Sequence, residues 1–372
     1  MGGEGTRLRP ITSRVPKPVA PLVERPFVAY ILEDLVRHGV RRAIFSSGYL
    51  AEAIEAVIGD GADYGLRVDY VVESEPLGTA GAIANCEAAL DDGSFFVFNG
   101  DVLTDVDLTA MAGFHREMGG AGTIFLTEVD APRRYGLVEL DESGGIVNFL
   151  EKPGEWTGRA LINAGVYVLE PEVLDMIPRG QTFSIERGVF PVLAQAGKLF
   201  GHVDPGYWRD IGTPESYLQS HFDILERTIV TRVAEEESTE FVRIHPSAHV
   251  HPGARVVPPS YIAEDVRVEA GARVGPLAVI GARCVVGEAA TVTESVLQSD
   301  VEIGPGAHIQ ASVIVRRSSV GAGTRVSNAV VGEGCTVGAG NTLAAGLCLF
   351  PDTALADNSI QFREQLQGRE GI

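Results

Sequence analysis

The chain has 372 residues, about 45% of them apolar and 22% charged, with a formal net charge of −20. That length allows two domains with full cores, and the apolar fraction is that of an ordinary globular protein. The acidic balance excludes nucleic acid and anionic membrane as partners, because both require a basic footprint. There is no secretory signal and no apolar run near the length of a membrane span. Cys86, Cys284, Cys335 and Cys348 show neither metal spacing nor a paired framework, so they read as small buried hydrophobes of a reducing cytosol.

The chain opens with MGGEGTRLRPITSRVPKP. Gly2, Gly3 and Gly5 leave backbone N–H groups that can approach a triphosphate closely. Arg7, Arg9 and Lys17 place fixed positive charge beside that cradle, and Pro16 and Pro18 hold Lys17 on a stiff segment. The spacing is neither G-x-x-x-x-G-K-[ST] nor G-x-G-x-x-G. Further on, short apolar runs alternate with helical patterns, the mark of a βα-wound parallel sheet. Strands are expected at 43–47, 68–72, 95–99 and 123–129, and helices at 27–37, 50–58 and 79–90. A last helix is expected over 214–227 with Thr213 as its cap.

Two carboxylates stand out in this half. Asp101, in Asn99-Gly100-Asp101, ends an apolar strand, where open α/β sheets bind ligands. Asp210 lies in YWRDIGTPESY, just before a turn and a helix. Glu151-Lys152-Pro153 ends another strand, and Leu161 to Gly165 begins the next. Glu73 to Gly81, ESEPLGTAG, runs from a strand into a helix.

Past an acidic stretch at 234–240 the period changes to six. Val250, Val256, Ile262, Val268, Val274, Ile280, Val286 and Val292 share one register, each followed four residues later by a small or β-branched residue. The register slips by one and resumes at Ile303, Ile309 and Val315, then at Val320, Val326, Val337 and Leu343. An aliphatic residue every six positions fits a triangular coil of short parallel strands. His249, His251 and His308 sit within the repeat, with no long loop inserted beside them, and read as solvated coil residues. The expected organisation is a catalytic domain at 1–227, an acidic linker at 228–245, a coil at 246–350 and a tail at 351–372.

These motifs resemble those of the sugar-1-phosphate nucleotidylyltransferases, and within them the mannose-1-phosphate guanylyltransferase subgroup, on EPLGTAG, INAGVYVL, the SIER block and the appended repeat. The resemblance implies a Rossmann-like nucleotidyltransferase domain followed by a left-handed β-helix. In that family the Gly-rich loop follows a buried central strand; here Met1 stands where that strand would end, so the reading frame is expected to begin upstream. Asp101 and Asp210 would hold Mg²⁺, the implied cofactor. Gly2, Gly3, Gly5, Thr6, Glu73, Gly78 and Thr79 would bind the nucleotide, and Gly136, Glu151, Lys152, Asn163 and Gly165 the sugar phosphate. Arg7 would bind the departing pyrophosphate, while Lys17 would bridge the two reacting phosphates. Phe183 to Arg187 would be structural support.

The position of Glu73 is typically glutamine in thymidylyl- and uridylyl-type relatives. A carboxylate only accepts, which suits the paired N1–H and N2 donors of guanine, although a glutamate in solvent with the base read by backbone fits the position too. The implied reaction joins GTP and mannose 1-phosphate into GDP-mannose and pyrophosphate. Alternatives are dTTP or UTP with glucose 1-phosphate, a non-catalytic regulatory subunit, or an acyl-transferring coil. The expected setting is a cytoplasmic homo-oligomer with no nucleic-acid or membrane partner.

Overall fold

The computed structural model describes residues 5–48, 50–130, 132–151, 158–229, 231–233 and 241–361. They form two compact units, one from Val15–Ala20 and Pro26–Gly212, the other from Arg7–Arg14, Pro21–Arg25 and Thr213 onward.

After two 3₁₀ turns, Thr6–Leu8 and Lys17–Val19, comes a tight hairpin, β1 (Pro21–Leu22) and β2 (Arg25–Pro26), which leads into α1 (Phe27–Arg37). Then come β3 (Arg42–Ser47), α2 (Ala51–Ile58), β4 (Arg67–Val72), α3 (Gly78–Asn85), β5 (Phe95–Phe98) and β6 (Val102–Thr104). After α4 (Leu108–Met118) follow β7 (Gly122–Val129), β8 (Gly136–Leu140), β9 (Ile146–Glu151) and β10 (Ala160–Leu169). The first unit closes with α5 (Ile185–Gly188), α6 (Phe190–Gln195), β11 (Leu199–Val203) and β12 (Trp208–Asp210). Helix α7 (Pro214–Leu225) opens the second unit's long segment with a capping box, Thr213 and Ser216 bonding each other's backbone.

The main sheet runs β11-β7-β10-β8-β9, with β5 beside β10. Period-two alternation divides its side chains between two cores. Phe125, Val166 and Val168 pack with Val28, Leu32 and Leu35 of α1, Ile54 of α2 and Met111 of α4. Ile124, Leu126, Tyr167 and Leu169 pack with Phe190 and Leu193 of α6. Each such side chain contributes roughly 1.5–3 kcal/mol by leaving water.

The sheet expected to be parallel is mixed. Only β7–β11 and β3–β4 pair in parallel among the described catalytic strands, whereas β10 is antiparallel to β5, β7 and β8. An apolar run buried on both faces looks the same whichever way its neighbours point, so the sequence carried no signal for direction.

From Val242 to Leu355 the chain coils as a parallel β-solenoid of three sheets. Its strands begin before residue 246 and continue past 350, so residues 351–361 carry a further strand and its turn. Val268, Val274, Ile280, Val286 and Val292 stack inward with essentially no exposure. The register slip has one location: after Val292 the next inward residue is Leu297, and Leu297 stacks on Ile314 and then on Val331. The inward position on that face is therefore Ile314, not the expected Val315, and each shortened side is absorbed on the same sheet. At the coil's narrow places backbones leave no room for a Cβ: one on Gly287 would lie 2.6 Å from the Ile303 carbonyl oxygen. His249 and His308 face solvent, as does His251.

Within the second unit, several contacts clasp the hairpin and the preceding segment to the solenoid. Glu24 accepts a hydrogen bond from the Ala282 backbone N–H, and Tyr217 donates to the Pro21 carbonyl while accepting from Gln298 at 3.2 Å. Glu333, whose side chain is 4% exposed, faces Arg316 at 3.1 Å, Arg14 at 3.8 Å and Arg317. Arg14 also pairs with Asp352. A carboxylate this buried is tolerated because three guanidiniums surround it.

Candidate active site

The first unit's site is assembled at strand ends. Strands β6 and β12 run antiparallel with Asp210 opposite Val102, and the Ile211 N–H donates to the Asp101 carbonyl at 3.0 Å. This pairing brings side by side two carboxylates more than a hundred residues apart in sequence. The Lys17 ammonium lies between them, 3.2 Å from Asp101 and 3.7 Å from Asp210. Lys17 and Asp210 are mostly enclosed (side chains 11% and 17% exposed), while Asp101 opens to solvent at 42%.

Two adjacent carboxylates with one open edge fit a hard divalent cation that completes its shell with water and substrate phosphate oxygens. Among the described residues no group of three or more His, Cys, Asp or Glu side chains clusters for metal binding. Two carboxylates supply only part of a divalent cation's shell and leave the rest to water and substrate.

A second wall stands beside these acids. The Asn99 N–H donates to the Gly165 carbonyl at 2.8 Å, and Trp208 donates its indole N–H to the Ala164 carbonyl at 2.8 Å. The ring of Tyr135 meets Trp208 edge to face at 5.2 Å. Gly165 has φ +81°, and a Cβ there would meet the Asn99 side chain at 2.9 Å, so the position requires glycine. The β7–β10 register breaks between Asn163 and Tyr167, and this irregularity re-aims the strand at the site. Asn163 donates to the buried Tyr167 hydroxyl at 3.0 Å and accepts from the Gly165 N–H at 2.9 Å, which fixes its amide. Gly136 pairs with Glu151 across β8 and β9, and a Cβ on Gly136 would lie 3.0 Å from the Glu151 carboxylate.

Glu73 behaves differently from a freely presented base reader. It is 6% exposed, and its two oxygens accept from the Ser46 hydroxyl at 2.9 Å and the Leu77 N–H at 3.2 Å. The carboxylate shapes the loop entering α3. Gly78, at φ +72°, lies against the Phe183 backbone, where a Cβ would come within 2.8 Å of its carbonyl oxygen. Thr79 donates to Glu186 at 2.7 Å and accepts from the Ile185 N–H at 2.9 Å. The Phe183–Glu186 stretch thus supports this loop.

Thr6 and Arg7 are exposed on a 3₁₀ turn, Thr6–Leu8, following Gly5. Gly2, Gly3 and Lys152 lie outside the described residues. The structure therefore brings together Lys17, Asp101 and Asp210, and joins Gly136 to Glu151 and Asn163 to Gly165. Trp208 and Tyr135 were missed as wall residues. The only sequence signal was their position beside Asp210 and Gly136.

This architecture, a mixed sheet between helices with paired acids and a lysine at strand ends, is that of a nucleotidyl transfer domain. Residues 1–227 match the family model "Nucleotidyl transferase", so the chain belongs to that family. Residues 256–363 match a second model, "GMPPB C-terminal domain". Over 227 residues the chain is 43% identical to a mannose-1-phosphate guanylyltransferase of Mycobacterium tuberculosis, covering 60% of this chain and 63% of the relative. A mannose-1-phosphate guanyltransferase of Saccharomyces cerevisiae is 40% identical over 223 residues, covering 59% and 61%. The aligned segment thus spans less than two thirds of these curated relatives' length. The crystal structure of HddC from Yersinia pseudotuberculosis superposes with a TM-score of 0.53 at 31% identity, covering 60% of this chain and 96% of that one. The same protein complexed with GMP-PN superposes with a TM-score of 0.50 at 32% identity, with the same coverage. No helix among the described residues is long and apolar enough to cross a membrane.

Proposed function

We propose that the protein joins an NTP and a sugar 1-phosphate into an NDP-sugar and pyrophosphate, with GTP and mannose 1-phosphate as the substrates and the cytoplasm as the setting. The observation that carries this reading is the Lys17 ammonium seated between Asp101 and Asp210. A lysine so placed can bridge two phosphates that would otherwise repel. An oxygen of the sugar phosphate attacks the α-phosphorus, forming one P–O bond while the bond to the β-phosphate bridging oxygen breaks. That attacking oxygen is already ionised, so no protein base is needed, and catalysis consists of positioning and charge neutralisation.

Asp101 and Asp210 would hold Mg²⁺, which when bound neutralises phosphate charge. Lys17 would orient the sugar phosphate against the α-phosphate. Arg7 would face the departing pyrophosphate. Glu151 would accept from sugar hydroxyls and Asn163 would orient them through its amide, over the flat floor that Gly165 leaves. Gly78 and Thr79 would admit the base, with Glu73 shaping their loop or accepting from guanine.

The relatives named as mannose-1-phosphate guanylyltransferases support the guanine and mannose choice, and HddC complexed with GMP-PN supports nucleotide binding. The test is pyrophosphate release with Mg²⁺, crossing GTP, dTTP, UTP and ATP against mannose 1-phosphate and glucose 1-phosphate. Preference for GTP with mannose 1-phosphate is expected. Preference for dTTP or UTP with glucose 1-phosphate would keep the chemistry and replace the substrates. No turnover from folded protein would favour a regulatory subunit.

A further inference from the structure

Four residues apart on an extended strand, Asn163 and Tyr167 would stand about 13 Å from each other. Instead, the Asn163 amide reaches the Tyr167 hydroxyl at 3.0 Å. The irregularity in β10 closes the gap. The four steps from Asn163 to Tyr167 oppose only the two from Leu126 to Ile124 on β7, and Gly165 supplies the bend at φ +81°.

Tyr167 is itself held firmly. It is 1% exposed, and its ring meets that of Phe190 edge to face at 5.1 Å. The Asn99 side chain is a second hydrogen-bond partner of the same hydroxyl. Burial, with the charges of Glu186 and Asp101, pushes the phenol pKa well above its ordinary value, so the group stays a neutral hydroxyl.

An asparagine amide carries two N–H donors and an oxygen with two lone pairs. In Asn163 one donor goes to Tyr167, and one lone pair takes the Gly165 N–H at 2.9 Å. These two bonds fix which way the amide faces, and they leave one donor and one lone pair for a substrate. Without the hydroxyl, the Gly165 bond alone would hold the amide, and the side chain could turn about it.

We propose that Tyr167 is a positioning residue for the sugar 1-phosphate: its hydroxyl sets the Asn163 amide so that the amide's remaining donor and acceptor meet the sugar hydroxyls. This rests on the nucleotidyl transfer reading above. Tyr167 is enclosed by the core and acts through Asn163. Its loss should therefore weaken use of the sugar phosphate and spare the NTP, whose assigned contacts lie on the loop from Glu73 to Thr79.

The experiment compares Tyr167→Phe, Asn163→Ala and the double variant in the full chain, by steady-state kinetics with GTP and mannose 1-phosphate. Tyr167→Phe keeps the ring and is expected to raise KM for mannose 1-phosphate about tenfold, with KM for GTP within about twofold. Asn163→Ala should raise the same KM, and adding Tyr167→Phe to it should raise it no more than about twofold further, because the hydroxyl then has no amide to set. Leu193→Ala, which truncates the same core and keeps the hydroxyl, should lower the melting temperature and leave both KM values within about twofold. An unchanged KM for mannose 1-phosphate in Tyr167→Phe would overturn the proposal. So would an equal rise for GTP, full additivity in the double variant, or the same selective rise in Leu193→Ala. If the unmodified protein turned over no substrate pair, the reaction reading would fail, and calorimetric binding of mannose 1-phosphate would decide this proposal separately. Binding weakened about tenfold by Tyr167→Phe would support it, whereas equal binding by the two proteins, or binding by neither, would overturn it.

Discussion

Trp208 donates its indole N–H to the Ala164 carbonyl at 2.8 Å, and this bond ties the strand that delivers Asp210 to the strand that delivers Asn163 and Gly165. Phenylalanine at 208 would keep the edge-to-face contact with Tyr135 and lose the donor. The buried Ala164 carbonyl would then lack its side-chain partner, at a cost of about 1–3 kcal/mol. Trp208→Phe should therefore melt lower, by roughly 2–6 °C for a domain of this size, and turn over more slowly. Calorimetry beside pyrophosphate release checks both.

Asp101 and Asp210 contribute charge where phosphates meet, so neutralising either should act on the transition state. Asp101→Asn and Asp210→Asn keep the shape of the side chain. Each is expected to lower kcat by about 10²-fold or more, the scale of removing one preorganised electrostatic partner. Unchanged circular dichroism would show that the loss is chemical. Because both residues act on one centre, the double variant should lose much less than the product of the two single losses.

Gly165→Ala combines two penalties. The backbone sits at φ +81°, and the new methyl would meet the Asn99 side chain at 2.9 Å. A positive φ alone costs about 1–3 kcal/mol for a residue with a Cβ. Denaturant unfolding should register a loss of that order. Turnover should fall further than stability requires, because Asn99 leads directly into Asp101.

Glu24 makes stability depend on pH in a direction opposite to that of most carboxylates. Burial, with the nearby Glu264, raises its pKa from 4.5 to about 7, while Arg283 and the Ala282 N–H pull it down. Between those pH values the unfolded chain has released its proton and the folded chain retains it. The folded state binds more protons there, so this contribution falls as pH rises from 4.5 to 7 and is then level. His221, lowered from 6.5 to about 3 by burial, contributes with the opposite slope between those values. The measurement is therefore a difference: Glu24→Gln should match the unmodified protein near pH 4.5 and exceed it by on the order of 2 kcal/mol at pH 8.

The solenoid was legible because its constraint repeats. Every coil presents an inward aliphatic at the same angular position, so Val268 through Val292 announced the fold without any knowledge of contacts. Asp101, Asp210 and Lys17 were legible as residue types in recognisable settings, and the structure supplied their adjacency. Sheet direction was not legible, because the apolar run from Val166 to Leu169 satisfies either polarity. Nor was the role of Glu24, which meets Ala282 across 258 residues of sequence. Glu73 was read for what its carboxylate offers a base, and the structure shows it bonded to Ser46 and Leu77. A partner so distant in sequence as Ser46 is chosen by the fold, not by local pattern.

Arg14 and Glu24 grip the solenoid at Asp352 and Ala282, and the coil backbone between those grips climbs four rungs, through Asp300, Arg317, Gly334 and Asp352. At about 4.7–4.9 Å per rung the grips are roughly 19 Å apart along the axis. Ten residues of chain thus act as a ruler for the solenoid. A repeat array can ordinarily gain or lose a coil without penalty elsewhere, but here an added coil between residues 282 and 352 would carry Asp352 a full rung beyond the reach of Arg14. The two grips thus tie the spacing of residues 282 and 352 to a segment more than two hundred residues upstream.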